Sequence, residues 1–291
     1  MFQSALICTD FTDGLYRLTH FVPSLAEAGL RRIVFLHTVP PSEEREIPRP
    51  DPEKVQAARD RLSDALSQVP EGVEVKIDVQ VGRPTDHILQ ARKTYQTDVI
   101  IVGIPSRSRL NEKLFGSTTM ELCKRLTTPI LTLRPQLIST YTTEELDLRC
   151  RHLFRYLLLA YDGSESAKYL VQRVKYYAEH HPVQSLKQCL ACWVVDDAGR
   201  RELRSDEELR EAQAKIQEVK PILEAANLQV NLEVRKGTPI LELLEAAEEY
   251  DISAIATSSR TLGKLASWTS PSLTGEILHR SWHPVLYFPP E

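Results

Sequence analysis

An internal repeat is the feature of this sequence that most constrains its fold. Near the N-terminus an apolar run ends at Thr9-Asp10 and is followed by small residues and a helical pattern, and a second apolar run ends at Asp162 in the same way. Four landmarks recur in one order at a nearly constant offset: Asp10 and Asp162 (152 positions apart), Gly82 and Gly237 (155), Asp98 and Asp251 (153), and Pro129 and Pro284 (155). This regularity predicts two copies of one domain.

The length and composition agree with two domains. The chain has 291 residues, of which 42% are hydrophobic, and a half of about 140 residues has the usual size of a domain. The predicted boundaries are a first domain over residues 1–135, a linker over 136–152 and a second domain over 153–291. Within the linker, Thr142-Thr143-Glu144-Glu145 has the pattern that caps a short helix.

Short apolar runs alternate with helical segments in both halves, which indicates parallel strands joined by helical crossovers. The predicted strands are residues 4–8, 32–39, 73–79, 99–102 and 130–133, then 156–160, 187–195, 229–234, 252–256 and 285–288. The predicted helices are residues 15–28, 52–68, 85–95 and 118–126, then 166–180, 206–226, 239–249 and 273–279. The predicted fold class is therefore α/β, with two tandem doubly wound domains, each a five-stranded parallel sheet flanked by helices.

Charge and hydropathy exclude several classes of function. The net charge is −4, so neither a nucleic acid nor an anionic membrane surface is an expected partner. The apolar run around residues 156–161 is far too short to span a bilayer. The first residues, Met-Phe-Gln-Ser, lack the pattern of a signal peptide, and we expect a cytoplasmic protein.

The five cysteines do not form a disulfide framework, because their number is odd and their spacing irregular. Cys189 and Cys192 have the spacing of a redox motif, but they lie inside a predicted buried strand rather than at a strand-to-helix turn. A structural role is favoured over a redox or metal role. None of the eight histidines has a partner at zinc-site spacing, and no metal site is predicted.

Polar residues follow the first, second and fourth predicted strands, where ligands bind in open parallel sheets. Thr9 and Asp10 follow the first strand, and Thr38 lies near the end of the second. Val102 ends the fourth strand, and Gly103 follows it. A further segment, Gly116-Ser117-Thr118, opens a helix. A glycine there lets the backbone approach an anion closely, and the helix N-terminus supplies free N–H groups. An anionic ligand is expected at this edge.

At these residues the chain resembles the universal stress protein family. Its ATP-binding members carry Gly-x2-Gly-x9-Gly-Ser/Thr, and this chain has Gly103-x2-Ser106-x9-Gly116-Ser117. Thr9-Asp10-Phe11-Thr12, Leu36-His37 and Ala160-Tyr-Asp162-Gly-Ser-Glu-Ser are also similar to the family. The resemblance covers nearly the whole chain apart from the linker, and it implies an adenine nucleotide alpha hydrolase-like fold in both domains.

The resemblance implies a nucleotide site in the first domain, for ATP, ADP or AMP, with or without Mg²⁺. Asp10, with Thr9 beside it, would contact the ribose or adenosine, and Thr38 would border the adenine. The phosphates would lie at the glycine loop. Ser106 replaces the middle glycine, which weakens binding if that position needs a positive φ. The implied nucleotide-binding residues are Thr9, Asp10, Thr38, Val102, Gly103, Ser106, Gly116, Ser117 and Thr118. The basic residues Arg107, Arg109 and Lys113 either reach the phosphates or are merely solvated.

The second domain departs further from the family pattern. Ala256, Ser259 and Pro271 stand at the positions of the three glycines, although Ser272 follows. A proline lacks the N–H that a phosphate would use. Asp162 needs no ligand to explain it, because an aspartate with small residues also caps a helix. The second domain is therefore interpreted as a degenerate, structural copy.

The leading hypothesis is a stress-response regulatory protein that binds an adenine nucleotide without efficient turnover. It is not expected to be an enzyme beyond slow ATP hydrolysis, since the sequence contains no Gly-x4-Gly-Lys-Ser/Thr loop. The alternative is a scaffold or protein-interaction module that binds no nucleotide. A nucleotidyl-transfer enzyme would need a His-x-Gly-His signature after the first strand, which Thr9-Asp10-Phe11-Thr12 lacks.

Assembly follows from the repeat and from the resemblance. Single-domain relatives often dimerise through the last strand, so segments 130–133 and 285–288 are expected to pair within one chain as a pseudo-dimer, which would cover two exposed edges. Homo-oligomers through other faces are compatible with this arrangement. The sequence does not name a protein partner.

Overall fold

The computed structural model describes residues 1–41, 51–104, 117–181, 185–196, 202–260 and 272–290. The side chains of residues 117, 118, 120 and 202–205 are outside that description. The chain divides into two compact units, Phe2–Arg151 and His152–Glu291. The predicted α/β fold class with two tandem domains is confirmed.

The first unit contains five strands and six α-helices among its described residues. The strands are β1 (Ser4–Thr9), β2 (Arg32–Val39), β3 (Glu74–Val81), β4 (Val99–Gly103) and β5 (Ile130–Leu133). The helices are α1 (Val22–Glu27), α2 (Pro52–Leu62), α3 (Pro84–Tyr95), α4 (Ser117–Arg125), α5 (Pro135–Thr140) and α6 (Thr143–Arg151), and 3₁₀ helices cover Leu15–Phe21 and Ser63–Leu66.

The strands of the first unit form a parallel sheet in the order β3-β2-β1-β4-β5. The centre of this sheet is fully buried, as the apolar runs predict: Ala5, Leu6 and Ile7 of β1 and Ile100 and Ile101 of β4 are 0% exposed. The strand order reverses at β1, which pairs with β2 on one side and β4 on the other. A crevice therefore opens at the carboxyl ends of β1 and β4.

The second unit repeats this arrangement. Its strands are β6 (Tyr156–Ala160), β7 (Gln188–Val195), β8 (Gln229–Lys236), β9 (Ala254–Thr257) and β10 (Val285–Tyr287), and its helices are α7 (Glu165–Glu179), α8 (Glu202–Ile216), α9 (Val219–Glu224), α10 (Pro239–Glu249) and α11 (Leu273–Arg280). The strand order is β8-β7-β6-β9-β10, again parallel throughout. The first strand of this unit, β6, lies between β7 and β9, so the strand order reverses at β6 as it does at β1 in the first unit.

Three helices predicted as continuous are divided in the structure. Segment 15–28 is a 3₁₀ helix followed by α1, with Pro23 in the first turn of α1, and segment 206–226 divides into α8 and α9, with Pro221 in α9. A proline cannot donate to the preceding turn, so the helix restarts at that point. Segment 52–68 changes from α2 to a 3₁₀ helix at Ser63, whose hydroxyl donates to the carbonyl of Asp60 at 2.7 Å.

The segment predicted as a linker is largely helical. The N–H of Thr142 donates to Glu145 Oε2 at 2.9 Å, and the N–H of Glu145 donates to Thr142 Oγ1 at 3.3 Å. This reciprocal pair confirms the predicted capping box at the start of α6. Asp147 of α6 accepts a hydrogen bond from Ser24 of α1, so the segment packs on the first unit.

Candidate functional site

The parallel register places the predicted residues of the first domain side by side. Thr9 of β1 pairs with His37 of β2, and Cys8 pairs with Val102 of β4. Asp10, Thr38 and Gly103 follow these residues along the chain and therefore lie at the same edge of the sheet. Asp10 is exposed, whereas Thr38 and Gly103 are half-buried.

Asp10 organises the turn that leaves β1. Its Oδ1 atom accepts hydrogen bonds from the N–H of Thr12 at 2.8 Å, from the Thr12 hydroxyl at 2.8 Å and from the N–H of Asp13 at 3.0 Å. Three donors therefore bind one oxygen of the Asp10 carboxylate, whereas the other oxygen, Oδ2, accepts none of these bonds. The turn thus presents an oriented carboxylate at the mouth of the crevice.

Asp13 is a site residue that the sequence analysis missed. It is only 7% exposed, and its Oδ1 atom accepts hydrogen bonds from Thr9 Oγ1 at 2.7 Å and from the N–H of Leu15 at 3.0 Å. Burial raises the pKa of this carboxyl, and the hydrogen bonds from Thr9 and Leu15 oppose that rise only in part. The sequence signal that could have revealed Asp13 is an aspartate four positions after Thr9 and directly before a glycine.

Asp13 also explains why residue 103 is a glycine. A Cβ atom at position 103 would lie 2.7 Å from Asp13 Cβ and 3.0 Å from Leu15 Cδ1. Asp13 and Leu15, which follow the turn that leaves β1, therefore fill the space that a side chain of residue 103 would need. In this structure the first glycine of the predicted phosphate loop is required by packing, whether or not a ligand binds.

An aromatic cluster lies beside the Asp10 turn. The Phe11 ring stacks on His37, with centroids 4.0 Å apart and planes inclined at 26°, and the Arg61 guanidinium lies 4.4 Å from the Phe11 centroid and 4.2 Å from that of Tyr16. Phe11 has a φ of 66°, a conformation that costs a side-chain-bearing residue about 1–2 kcal/mol. The stack therefore offsets backbone strain.

His37 is held in one tautomer. Its Nδ1 atom lies 2.8 Å from the carbonyl oxygen of Thr9, and because a carbonyl can only accept, Nδ1 carries the proton. Burial lowers the pKa of His37, although the bond to Thr9 and the charge of Asp10 act in the opposite direction. His37 is therefore a neutral support for the β1 turn at physiological pH.

The remaining predicted residues lie mostly outside the described part of the chain. These are Ser106, Arg107, Arg109, Lys113 and Gly116. Ser117 and Thr118 form the start of α4, but their side chains are not described. The roles of the glycine loop therefore stay predictions, and the described site consists of the ends of β1, β2 and β4.

The equivalent turn of the second domain keeps the bond from a backbone N–H to the aspartate but differs in the residues around it. Asp162 Oδ1 accepts from the N–H of Ser164 at 3.0 Å, and Ser164 Oγ accepts from the N–H of Ala167 at 3.2 Å as the N-cap of α7. Gly163 has a φ of 73° and lies against the Trp193 ring. The glycine and tryptophan thus occupy the places of Phe11 and His37 in the first domain.

A polar cavity lies beside that turn. Its volume is about 250 Å³. Its lining consists of Ala160, Asp162, Ser164, Ser166, Ala167, Thr257, Ser258, Ser259, Arg260, Ser272, Leu273 and Thr274. Hydroxyl groups therefore dominate the crevice of the domain that was interpreted as degenerate, a feature that the comparison of glycine positions did not anticipate.

The cysteines fit the structural role that was predicted for them. Cys189 and Cys192 are three positions apart on β7, so their side chains point to opposite faces of the sheet, and both are buried and free. Burial raises the pKa of both thiols, that of Cys192 to about 12.

We expect native Cys192 to react with iodoacetamide at pH 8 on the order of a thousandfold more slowly than an exposed cysteine, because the thiolate is the reactive form. Mass spectrometry of tryptic peptides after labelling checks this. Labelling in urea, where all five cysteines are accessible, is the control. Rapid modification of Cys192 in the folded protein would instead favour a redox role.

The described ranges contain neither a cluster of metal ligands nor a membrane-spanning helix. Within them, no group of three or more His, Cys, Asp or Glu side chains is arranged to hold a metal ion. In the same part of the chain, every helix is too short or too polar to cross a membrane.

Comparison with protein families decides the assignment. The model of the universal stress protein family matches residues 1–134 and again residues 154–289. The chain belongs to the universal stress protein family. The two matches coincide with the two halves of the internal repeat, so this is a tandem member. A comparison with curated proteins found no match.

Two solved structures share the fold over nearly the whole chain. A universal stress protein from Archaeoglobus fulgidus is 18% identical, with 97% of each chain covered and a TM-score of 0.67. A functionally unknown protein from Pseudomonas aeruginosa is 12% identical, covering 99% of this chain and 92% of that one, with a TM-score of 0.57. A universal stress protein in complex with cAMP is 19% identical over 46% of this chain and 97% of that one, with a TM-score of 0.38. At these identities the likeness to the first two structures concerns the fold alone.

Proposed function

We propose that the first domain binds an adenine nucleotide and that the chain is a stress-response regulatory protein without efficient turnover. The observation that carries this proposal is the Asp10 turn. It presents an exposed carboxylate, held by Thr12 and Asp13, at the point where the strand order of the first sheet reverses. Nucleotides bind at such switch points.

The described residues suggest how the ligand would be held. Asp10 would accept hydrogen bonds from ribose hydroxyls through its Oδ2 atom, and half-buried Thr38 would border the base. Val102 and Gly103 would form the floor toward the phosphates. The loop that holds the phosphates would contain Ser106, Gly116, Ser117 and Thr118, with Arg107 and Lys113 as cationic contacts. Bound Mg²⁺ would neutralise phosphate charge there.

Binding rather than turnover is proposed because hydrolysis needs an oriented water and a metal held at the phosphates. The one buried carboxylate described at the crevice, Asp13, is occupied by Thr9 and Leu15. Because this carboxylate stabilises the turn, we do not propose it as the general base that would activate a water for hydrolysis. Any ATP hydrolysis should therefore be slow.

Thermal unfolding with matched variants tests the proposal. A ligand at a hundred times its dissociation constant adds about 2.7 kcal/mol to the free energy of unfolding, which raises the melting temperature by several degrees. We expect this shift with Mg-ATP or AMP in the wild type and its loss in Asp10→Ala. Asp162→Ala is the control, because Asp162 follows the first strand of its own domain and also accepts a backbone N–H in its turn.

The outcomes separate the possibilities. A shift lost in Asp162→Ala but kept in Asp10→Ala would place the nucleotide in the cavity of the second domain. No shift in the wild type, with no nucleotide released on denaturation, would favour the scaffold alternative. One observation already supports that alternative: the Asp13 carboxyl lies against Gly103, where a phosphate would approach.

A further inference from the structure

Asp13 and its counterpart in the second domain have opposite environments. By the repeat offset of 152 positions, Asp13 corresponds to Glu165. The Glu165 side chain is 70% exposed and pairs with Lys168 at 3.1 Å. Asp13, by contrast, is buried in the crevice between β1 and β4. The acidic residue at this position is therefore exposed to solvent in the second domain and buried in the first domain.

The local backbone explains the difference. In the second domain α7 begins directly after Ser164, which caps it, so residue 165 lies in the first helical turn. In the first domain Gly14, with a φ of 71°, precedes a 3₁₀ helix that has no side-chain cap. Asp13 consequently turns toward the crevice, and its carboxylate accepts the N–H of Leu15 in place of a helix cap.

The position of Asp13 matters for an anionic ligand. Its carboxyl carbon, Cγ, is 3.2 Å from the place where a Cβ atom of residue 103 would stand, and residue 103 begins the loop proposed to hold phosphates. A carboxylate and a phosphate that approach each other in a partly buried site repel more strongly than in water. A ligand with more phosphate charge meets more of this repulsion.

We propose that Asp13 sets the specificity of the first domain by penalising phosphate charge, so that adenosine and AMP bind more tightly than ATP. This inference rests on the proposed nucleotide site and names the ligand class that the site prefers. Asp10 and Thr38 contribute to the nucleoside end of the ligand, which Asp13 leaves unaffected. Asp13 acts on the phosphate end, through its charge.

Isothermal titration calorimetry with adenosine, AMP and ATP tests the proposal on the full-length protein, in EDTA so that no divalent cation neutralises the phosphates. In the wild type we expect ATP to bind more weakly than AMP. In Asp13→Asn we expect the dissociation constant for ATP to fall about tenfold, equivalent to on the order of 1.4 kcal/mol, while that for adenosine stays within about twofold. The asparagine oxygen can still accept from Thr9 and Leu15. The longer bond from the N–H of Asp10 to Asp13 Oδ2, at 3.4 Å, is lost, and a thermal melt verifies that the turn is retained.

Asp64→Asn is the matched control. It removes one negative charge from the same domain, at an exposed carboxylate whose described partner is His20, 3.7 Å away. We expect this variant to leave all three affinities at their wild-type values.

Each alternative outcome has a distinct meaning. If the wild type binds ATP as tightly as AMP, or if Asp13→Asn changes adenosine and ATP affinity equally, Asp13 has only a structural role and the specificity proposal fails while the nucleotide site stands. If no ligand binds to the wild type or to either variant, the proposed function fails together with it. The wild-type ranking needs no variant, so the proposal is testable even if Asp13→Asn were unstable.

Discussion

Replacing Gly163 by alanine is expected to lower the stability of the second domain by about 2–5 kcal/mol. The residue has a φ of 73°, and an added Cβ atom would lie 2.7 Å from Trp193 Cη2 and 3.1 Å from Cζ3. The left-handed conformation costs a non-glycine residue about 1–2 kcal/mol. Trp193 is half-buried, and Tyr161 packs edge-on against it with centroids 5.6 Å apart, which limits its movement. Overpacking adds about 1–3 kcal/mol.

Urea unfolding followed by tryptophan fluorescence measures this loss. All three tryptophans of the chain belong to the second half, so the signal reports on that domain. Gly72→Ala is the control, followed by circular dichroism, because Gly72 has a φ of 76° but an added Cβ would meet nothing within 4 Å. The Gly72 variant should cost only the conformational part, about 1–2 kcal/mol. Equal losses in the two variants would show that contact with Trp193 contributes nothing.

Replacing Gly103 by alanine is expected to cost about 1–3 kcal/mol and to abolish the nucleotide-dependent rise in melting temperature. The added Cβ would meet Asp13 Cβ at 2.7 Å and Leu15 Cδ1 at 3.0 Å. Relief requires the β1 turn to move, and this turn carries both Asp10 and Thr9. The variant should therefore lose stability and ligand binding together, measured by thermal melts with and without Mg-ATP or AMP.

The second domain supplies a natural comparison for this variant. The sequence analysis placed Ala256 at the position of Gly103, but the strand register assigns Ser258 there, because Ala256 pairs with Leu159 as Ile101 pairs with Ile7. Ser258 is half-buried, so the fold accepts a side chain at this position where no inward-facing acidic residue opposes it. Accordingly, the cost of Gly103→Ala should be smaller by about 1 kcal/mol or more in an Asp13→Gly background, since contacting residues couple. An undiminished cost in the double variant would assign the strain to Leu15 or to the backbone instead.

The strands were predictable because parallel strands buried on both faces leave a strong pattern. Residues 32–39 and 130–133 were predicted with the bounds that β2 and β5 have in the structure. Helix continuity was less predictable. Pro23 and Pro221 lie within apolar helical patterns, and the pattern does not reveal that a 3₁₀ turn or a restart is preferred at a proline.

The candidate site was predictable in its location and only partly in its members. Parallel strands bring their carboxyl ends to one edge, so Thr9, Asp10 and Gly103 were expected together and are found there. Asp13 and Arg61 were not foreseen. The contact of Arg61 with Phe11 joins residues 50 positions apart, and no local pattern marks such a pair. The predicted pseudo-dimer and the role of the glycine loop stay predictions.

The sequence alone determined the tandem repeat, the α/β class and the edge of each sheet at which polar residues gather, because periodicity and strand order are local and topological properties. The tertiary structure decided which side chains lie at each edge and in which direction they point. Two equivalent acidic residues, Asp13 and Glu165, face a crevice and solvent respectively. The direction of a side chain after a turn depends on backbone dihedral angles and on packing partners distant in the chain, such as Gly103, and these are defined only once the chain has folded.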